Sequence, residues 1–179
     1  MSQKPQPTHP DRLEVIKGDQ PYSSSAKSLI SLPAGALFAK MASATVAEQH
    51  AYTTVATGIN SCIELNSDLV FCNHSCDPSL VFDMTQLEVR VVDNRPLQVG
   101  DDLTFFYPSS EWDIVQPFQC GCGAGANKCL GYISGAKHLD AEILNRYWLN
   151  NHIRDLFDER EKRQEVLRPA VANAVAVSS

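Results

Sequence analysis

The sequence predicts a mainly β domain that carries a cysteine-bearing loop and ends in helices. Three observations predict it. Between residues 11 and 107, short apolar runs of strand length alternate with turn-forming residues. Over residues 118–135 five glycines and three cysteines replace that pattern. From Leu139 onward, apolar residues recur at helical spacing.

Taken in order, residues 1–10 are Pro-rich and polar and are expected to form a disordered tail. Leu13 and Val15 alternate around Glu14 like an edge strand, and residues 18–27, with Pro21 and three successive serines, read as loop. Short strands are expected at 29–32 and 36–39 around a Pro33-Ala34-Gly35 turn. The Ala-rich stretch 41–51 suits a helical turn or two. Further strands are expected at 52–55, 62–65, 69–72, 80–82, 87–92 and 103–107, with turns at 57–60 and 94–100. Leu139, Ile143 and Tyr147 then share a helix face with Asp140 as N-cap, and Ile153, Leu156 and Phe157 resume it after a weak point at Asn150-Asn151. Asp158 and Glu159 precede Lys162 and Arg163 by four, as on a solvated helix face, and Arg168-Pro169 is expected to stop the helix.

The 179 residues suffice for one domain with a real core, and 44% hydrophobic with 20% charged residues is ordinary for a soluble chain. A net charge of −6 argues against nucleic-acid binding and is compatible with a basic partner such as a Lys-rich peptide. No apolar run approaches the ~20 residues of a membrane span, so no membrane partner is expected. The N-terminus has no apolar signal region, which points to an intracellular protein, cytoplasmic or nuclear.

In that setting six cysteines point to metal or reactive thiols rather than disulfides. Cys120, Cys122 and Cys129 share the Gly-rich stretch and suit three corners of a tetrahedral zinc site. The fourth ligand is open among Cys62, Cys72, Cys76 and the histidines. A second concentration of chemistry is Asn73-His74-Ser75-Cys76-Asp77-Pro78, set between apolar runs and closed by a turn signal. Alone, that hexamer is also compatible with an ordinary hairpin.

Three segments together resemble the SET-domain protein lysine methyltransferases. That family carries Asn-His-Ser-Cys-x-Pro-Asn, matched by residues 73–78 with Ser79 in place of the last Asn. It carries Gly-Glu-Glu-Leu-Thr-(Phe/Tyr)-Asp-Tyr, matched by Gly100-Asp101-Asp102-Leu103-Thr104-Phe105-Phe106-Tyr107, and a post-SET segment resembling Phe118-Gln119-Cys120-Gly121-Cys122-Gly123 and Cys129-Leu130-Gly131-Tyr132-Ile133. The resemblance covers residues 68–135. Phe106 stands where the family has Asp, Val70 where a basic residue is common, and Tyr22 to Ser25 hold no glycine where the family has Gly-x-Gly.

The resemblance implies a SET fold, with several short curved sheets and a knot-like crossing of the first two motifs. The resemblance implies a SET domain at 11–118 and a zinc-binding post-SET segment at 119–135; the helical spacing and the plain tail after it give C-terminal helices at 136–168 and a disordered tail at 169–179. It implies S-adenosylmethionine as methyl donor, contacted by Asn73, His74 and Tyr107, and a lysine side chain of a protein or peptide as acceptor. Tyr107 and Phe105 are the implied catalytic residues. Cys76 would complete a structural zinc site with Cys120, Cys122 and Cys129, leaving Cys62 and Cys72 as buried thiols without chemistry. The alternative is a SET-fold protein without lysine methyltransferase activity, acting as a binding module or on a small molecule.

Overall fold

Alternating burial shapes the strands of the computed structural model, which describes residues 7–175. β1 (Leu13–Ile16) and β2 (Ser25–Ser28) pair as an antiparallel ribbon that buries Leu13, Ala26 and Ser28. β3 (Leu37–Lys40) starts a second sheet. β4 (Thr45–Ala47), β5 (Thr54–Gly58) and β6 (Ser61–Glu64) form a third in the order β4-β6-β5, with Gly58 and Ser61 flanking a two-residue hairpin turn. β7 (Asn73–His74) follows, and then β8 (Leu80–Asp83) and β9 (Glu88–Val91), which complete the sheet β3-β9-β8. Leu80 and Phe82 of β8 and Val89 and Val91 of β9 point inward, and the intervening residues are half-buried, the period of two that pleating demands. β10 (Thr104–Phe105) lies parallel to β7, and β11 (Phe118–Gln119) pairs with β12 (Tyr132–Ile133).

Two cores result. The larger gathers Phe38, Leu69, Leu80, Phe82, Val89 and Phe105 among others. The smaller joins Phe106 to Ala136, Leu144, Leu149 and Ile153, so neighbouring phenylalanines at the end of β10 face opposite cores. Burying each ring stabilises the fold by roughly 2–3 kcal/mol. The ring of Phe106 stacks on that of Tyr147 with centroids 3.7 Å apart, which gives the Phe that replaces the family's Asp a packing role.

Asp140 caps α1 (Ala141–Leu144) by accepting from the Ile143 N–H at 2.9 Å. The expected weak point is a true break before α2 (Asn151–Val175), because the buried Asn150 side chain is used elsewhere: its amide donates to the carbonyls of Phe82 and Ser109 and accepts from Met84 N–H. α2 continues through Pro169, where a stop was expected. Ala170, Ala172 and Ala174 beyond it favour helix, though by less than the roughly 3 kcal/mol that a proline inside a helix costs.

Other expectations differ for tertiary reasons. The Ala-rich stretch 41–51 contains β4 rather than a helical turn, because its backbone completes the free edge of β6. Residues 69–72 are not a strand: Asp68–Phe71 is a 3-10 turn that buries Leu69 in the core, with Val70 and Phe71 partly buried against it. Residues 29–32 contribute only a bridge from Leu32 to Leu97, and the loop expected at 18–27 ends in β2. In the stretch expected as an N-terminal tail, Thr8 exchanges hydrogen bonds of 2.7 and 2.8 Å with Asp68, so ordered chain begins by Thr8. Residues 1–6 and 176–179 of the two expected tails lie outside the described residues.

Candidate active site and metal centre

The site forms where β7 and β10 meet. Thr104 pairs with Asn73 and Phe105 with His74, and the Ser75 N–H donates to the Phe105 carbonyl at 3.0 Å. A parallel pair needs a long crossover, supplied here by β8, β9 and the loop after them. The pairing brings His74 to Tyr107. Nδ1 of His74 accepts from the Tyr107 N–H at 3.2 Å, which assigns the ring proton to Nε2, 3.4 Å from Cys76 Sγ. Burial holds the His74 pKa down at about 4, so the ring is neutral and donates one hydrogen bond towards that sulfur.

Four sulfurs, those of Cys76, Cys120, Cys122 and Cys129, lie within 4.8 Å of one another. Zinc–sulfur bonds of about 2.3 Å give a tetrahedral edge of about 3.8 Å. The Cys76 and Cys120 sulfurs are 3.9 Å apart, so the donor set has the dimensions of a zinc site. Gly123 and Gly125 adopt left-handed backbone that lets the chain wrap between Cys122 and Cys129. Asp77 fastens the wrapped segment to the central one through Lys128 and Arg95, each at 2.9 Å, and these cations hold its carboxyl below the usual range, Lys128 foremost. Burial pushes Cys76 up to about 11. Cys122 sits low, at about 6: burial raises it, but backbone N–H groups and the neighbouring thiols outweigh that.

Beside this centre opens a cleft of about 1390 Å³. Asn73, His74, Phe105 and Tyr107 all line it. Asn73 Nδ2 donates to the Ser24 carbonyl at 2.9 Å and so ties the cleft floor to the segment lacking glycine. Tyr22, in that segment, has φ +63°, a glycine-like backbone held without glycine. The Phe105 ring stacks on Phe82 at 4.0 Å and lies 4.7 Å from the Tyr107 ring. Tyr107 Oη donates a long bond of 3.4 Å to the Cys72 carbonyl, and burial holds its pKa well above that of an ordinary tyrosine, so the phenol keeps its proton.

The protein named methyltransferase flvH, from Aspergillus flavus, is 60% identical over 151 residues, which are 84% of each chain. The chain belongs to the flvH methyltransferase family. A histone-lysine N-methyltransferase of Debaryomyces hansenii, specific for lysine 36 of histone H3, is 25% identical over 130 residues, 61% of this chain and 17% of that protein. No protein-family model matches the chain. Among the described residues of this flvH-family chain, no helix is long and apolar enough to cross a membrane.

Sequence reasoning passed over three cleft features. Glu111 lies one helical turn beyond Tyr107, its N–H bonded to the Tyr107 carbonyl at 2.9 Å, a spacing of four that put both side chains within reach of one face. Phe118 was noted only as motif, yet its ring lies 6.0 Å from that of Tyr107. Tyr22 and Tyr52, both exposed, meet edge-on at 5.2 Å on the cleft wall; their separation in the chain hid that pairing.

The remaining thiols are sealed. Cys62 and Cys72 are 2% and 1% exposed, and burial pushes Cys72 up to about 12. Cys72 follows the 3-10 turn rather than lying in a strand, and Cys62 sits in β6. Both are expected to resist a thiol reagent in the folded protein while remaining reactive after denaturation. Rapid labelling of both under native conditions is the contrary result.

Proposed function

We propose that the chain is a SET-type methyltransferase that uses S-adenosylmethionine to methylate an amine, in the first instance a lysine side chain of a protein or peptide. The observation that carries this reading is the parallel pairing of β7 with β10, which puts Asn73, His74, Phe105 and Tyr107 on one cleft. The relatives named as methyltransferases support it. In this reading residues 11–118 are the SET domain and 119–135 the post-SET segment. Cys76, Cys120, Cys122 and Cys129 hold a structural zinc, with the His74 Nε2–H directed at one ligand sulfur.

Asn73, His74 and Tyr107 are proposed to contact the donor, and the cleft is large enough for such a molecule with room for an acceptor. The donor supplies an electrophilic methyl group on a sulfonium. The chain supplies position and a dry, neutral surround. An alkylamine has an unperturbed pKa near 10.4, so it must enter a site that favours its neutral form before it is nucleophilic. The Tyr107 hydroxyl, weakly engaged by Cys72, is free to orient that amine, and Phe105 walls its path.

Calorimetry with S-adenosylmethionine and with its demethylated product is the direct test. Binding of both to the parent protein is the expected result, at reduced affinity because Ser23 and Ser25 stand where the family has glycine. No heat and no thermal shift at saturating donor would remove the methyltransferase reading in favour of a binding module.

A further inference from the structure

The cleft has four carboxylates on its wall. Two are ion-paired, Asp77 with Arg95 and Lys128, and Asp102 with Lys27 at 2.8 Å, while Asp101 accepts from the Gln98 N–H at 2.8 Å. Glu111 is the one that shares a turn with Tyr107, its N–H bonded to the Tyr107 carbonyl. Its Oε1 accepts from the Ala56 N–H at 2.8 Å and from Ser110 Oγ at 3.3 Å, both neutral donors. Its Oε2 has no protein partner among the described residues and is not among the sealed, unpaired polar atoms, and Glu111 lines the cleft. His50 is the nearby basic group, but no ion pair joins it to Glu111 among the described residues.

A half-buried carboxylate fixed by one oxygen and left open at the other is a ready acceptor for a cation. Burial raises the Glu111 pKa, the behaviour of a carboxylate short of positive neighbours. The surroundings suit an alkyl chain ending in that cation. Val55, Phe105, Ile114 and Phe118 give apolar walls, and the exposed rings of Tyr22 and Tyr52 offer faces of negative potential.

We propose that Glu111 is the specificity-determining residue of the cleft, its free carboxylate oxygen serving as counter-ion for an alkylammonium group of the acceptor substrate. The proposal rests on the amine-methylation reading for the meaning of the cleft, but it concerns recognition alone. Glu111 is a positioning residue: it captures the incoming amine as its cation, which must leave the carboxylate and lose its proton before methyl transfer beside Tyr107. A lysine side chain and a free alkylamine present the same group, so either source satisfies the chemistry.

The experiment is equilibrium binding to the full chain without methyl donor, using n-hexylamine against n-hexanol and a short lysine peptide against the same peptide with norleucine. The parent is expected to bind at least one cation about tenfold or more tightly than its neutral counterpart. Which cation wins distinguishes a free amine from a protein lysine. Glu111→Gln keeps the acceptor for Ala56 and Ser110, so it should melt as the parent does and lose that preference. A parent that binds hexanol and the norleucine peptide as tightly as the cations overturns the proposal even if the variant misfolds, and so does a well-folded Glu111→Gln that keeps the preference. Donor binding without cation preference would overturn this proposal alone; cation preference without donor binding would overturn the methyltransferase reading and leave Glu111 as a cation receptor.

Discussion

Tyr107→Phe is expected to lower methyl transfer by roughly a hundredfold or more while leaving the protein folded. The variant keeps the ring, which contacts His74, Phe105 and Phe118 at centroid distances of 5.4, 4.7 and 6.0 Å. The one hydrogen bond removed is that to the Cys72 carbonyl, already long at 3.4 Å, so the stability loss should not exceed about 1 kcal/mol. The lost hydroxyl is, in the proposed mechanism, the group that orients a neutral amine, and that role has no substitute on the aromatic wall. Melting temperature and turnover measured on one preparation separate the two effects. Turnover at the parent rate would take Tyr107 out of the mechanism, and a protein that unfolds would make it a packing residue.

Cys122→Ser should release the metal and destabilise the protein by roughly 4 kcal/mol or more, because metal-site loss is among the few changes with so large an effect. At about 2–4 °C per kcal/mol for a chain of this size, the melting temperature should fall by ~10 °C. The effect should reach the cleft, since Cys76 belongs at once to the sulfur cluster and to the segment that carries Asn73 and His74. Metal analysis of the parent is expected to give one zinc per chain. A parent without zinc, or a Cys122→Ser protein with full zinc, contradicts the proposed ligand set.

Legibility differed from element to element for physical reasons. The β8–β9 hairpin was readable because Leu80-Val81-Phe82 is an apolar run of strand length and Glu88-Val89-Arg90-Val91 alternates polar with apolar, both local properties of the sequence. Asp140 was readable as a cap for the same reason: its partner, Ile143, is three residues away. The cysteines of residues 120–129 advertised themselves by clustering, but Cys76 joined them only through family resemblance, and the structure brings it within 4.8 Å of the others. Residues 69–72 misled because an apolar run has no intrinsic period over four residues; the 3-10 turn is chosen by the core that receives Leu69. β4 was hidden by alanines whose helical preference loses to an available sheet edge. The Tyr22–Tyr52 pair, and the bond from Ala56 of β5 to Glu111, were out of reach until β5, the N-terminal loop and the turn after Tyr107 met around one space.

His74 and Tyr107, 33 positions apart, meet only after the β8–β9 hairpin between them has folded back. The parallel pairing of β7 with β10 that brings them together therefore carries a large loop-closure cost and few local contacts to offset it, which sets it late among the events of folding. Hairpins such as β5–β6 and β8–β9 need no such closure. The chain thus acquires a hydrophobic framework before these two residues meet. A growing polypeptide cannot make the His74–Tyr107 contact before residue 107 is available, nor the four-sulfur cluster before Cys129 is.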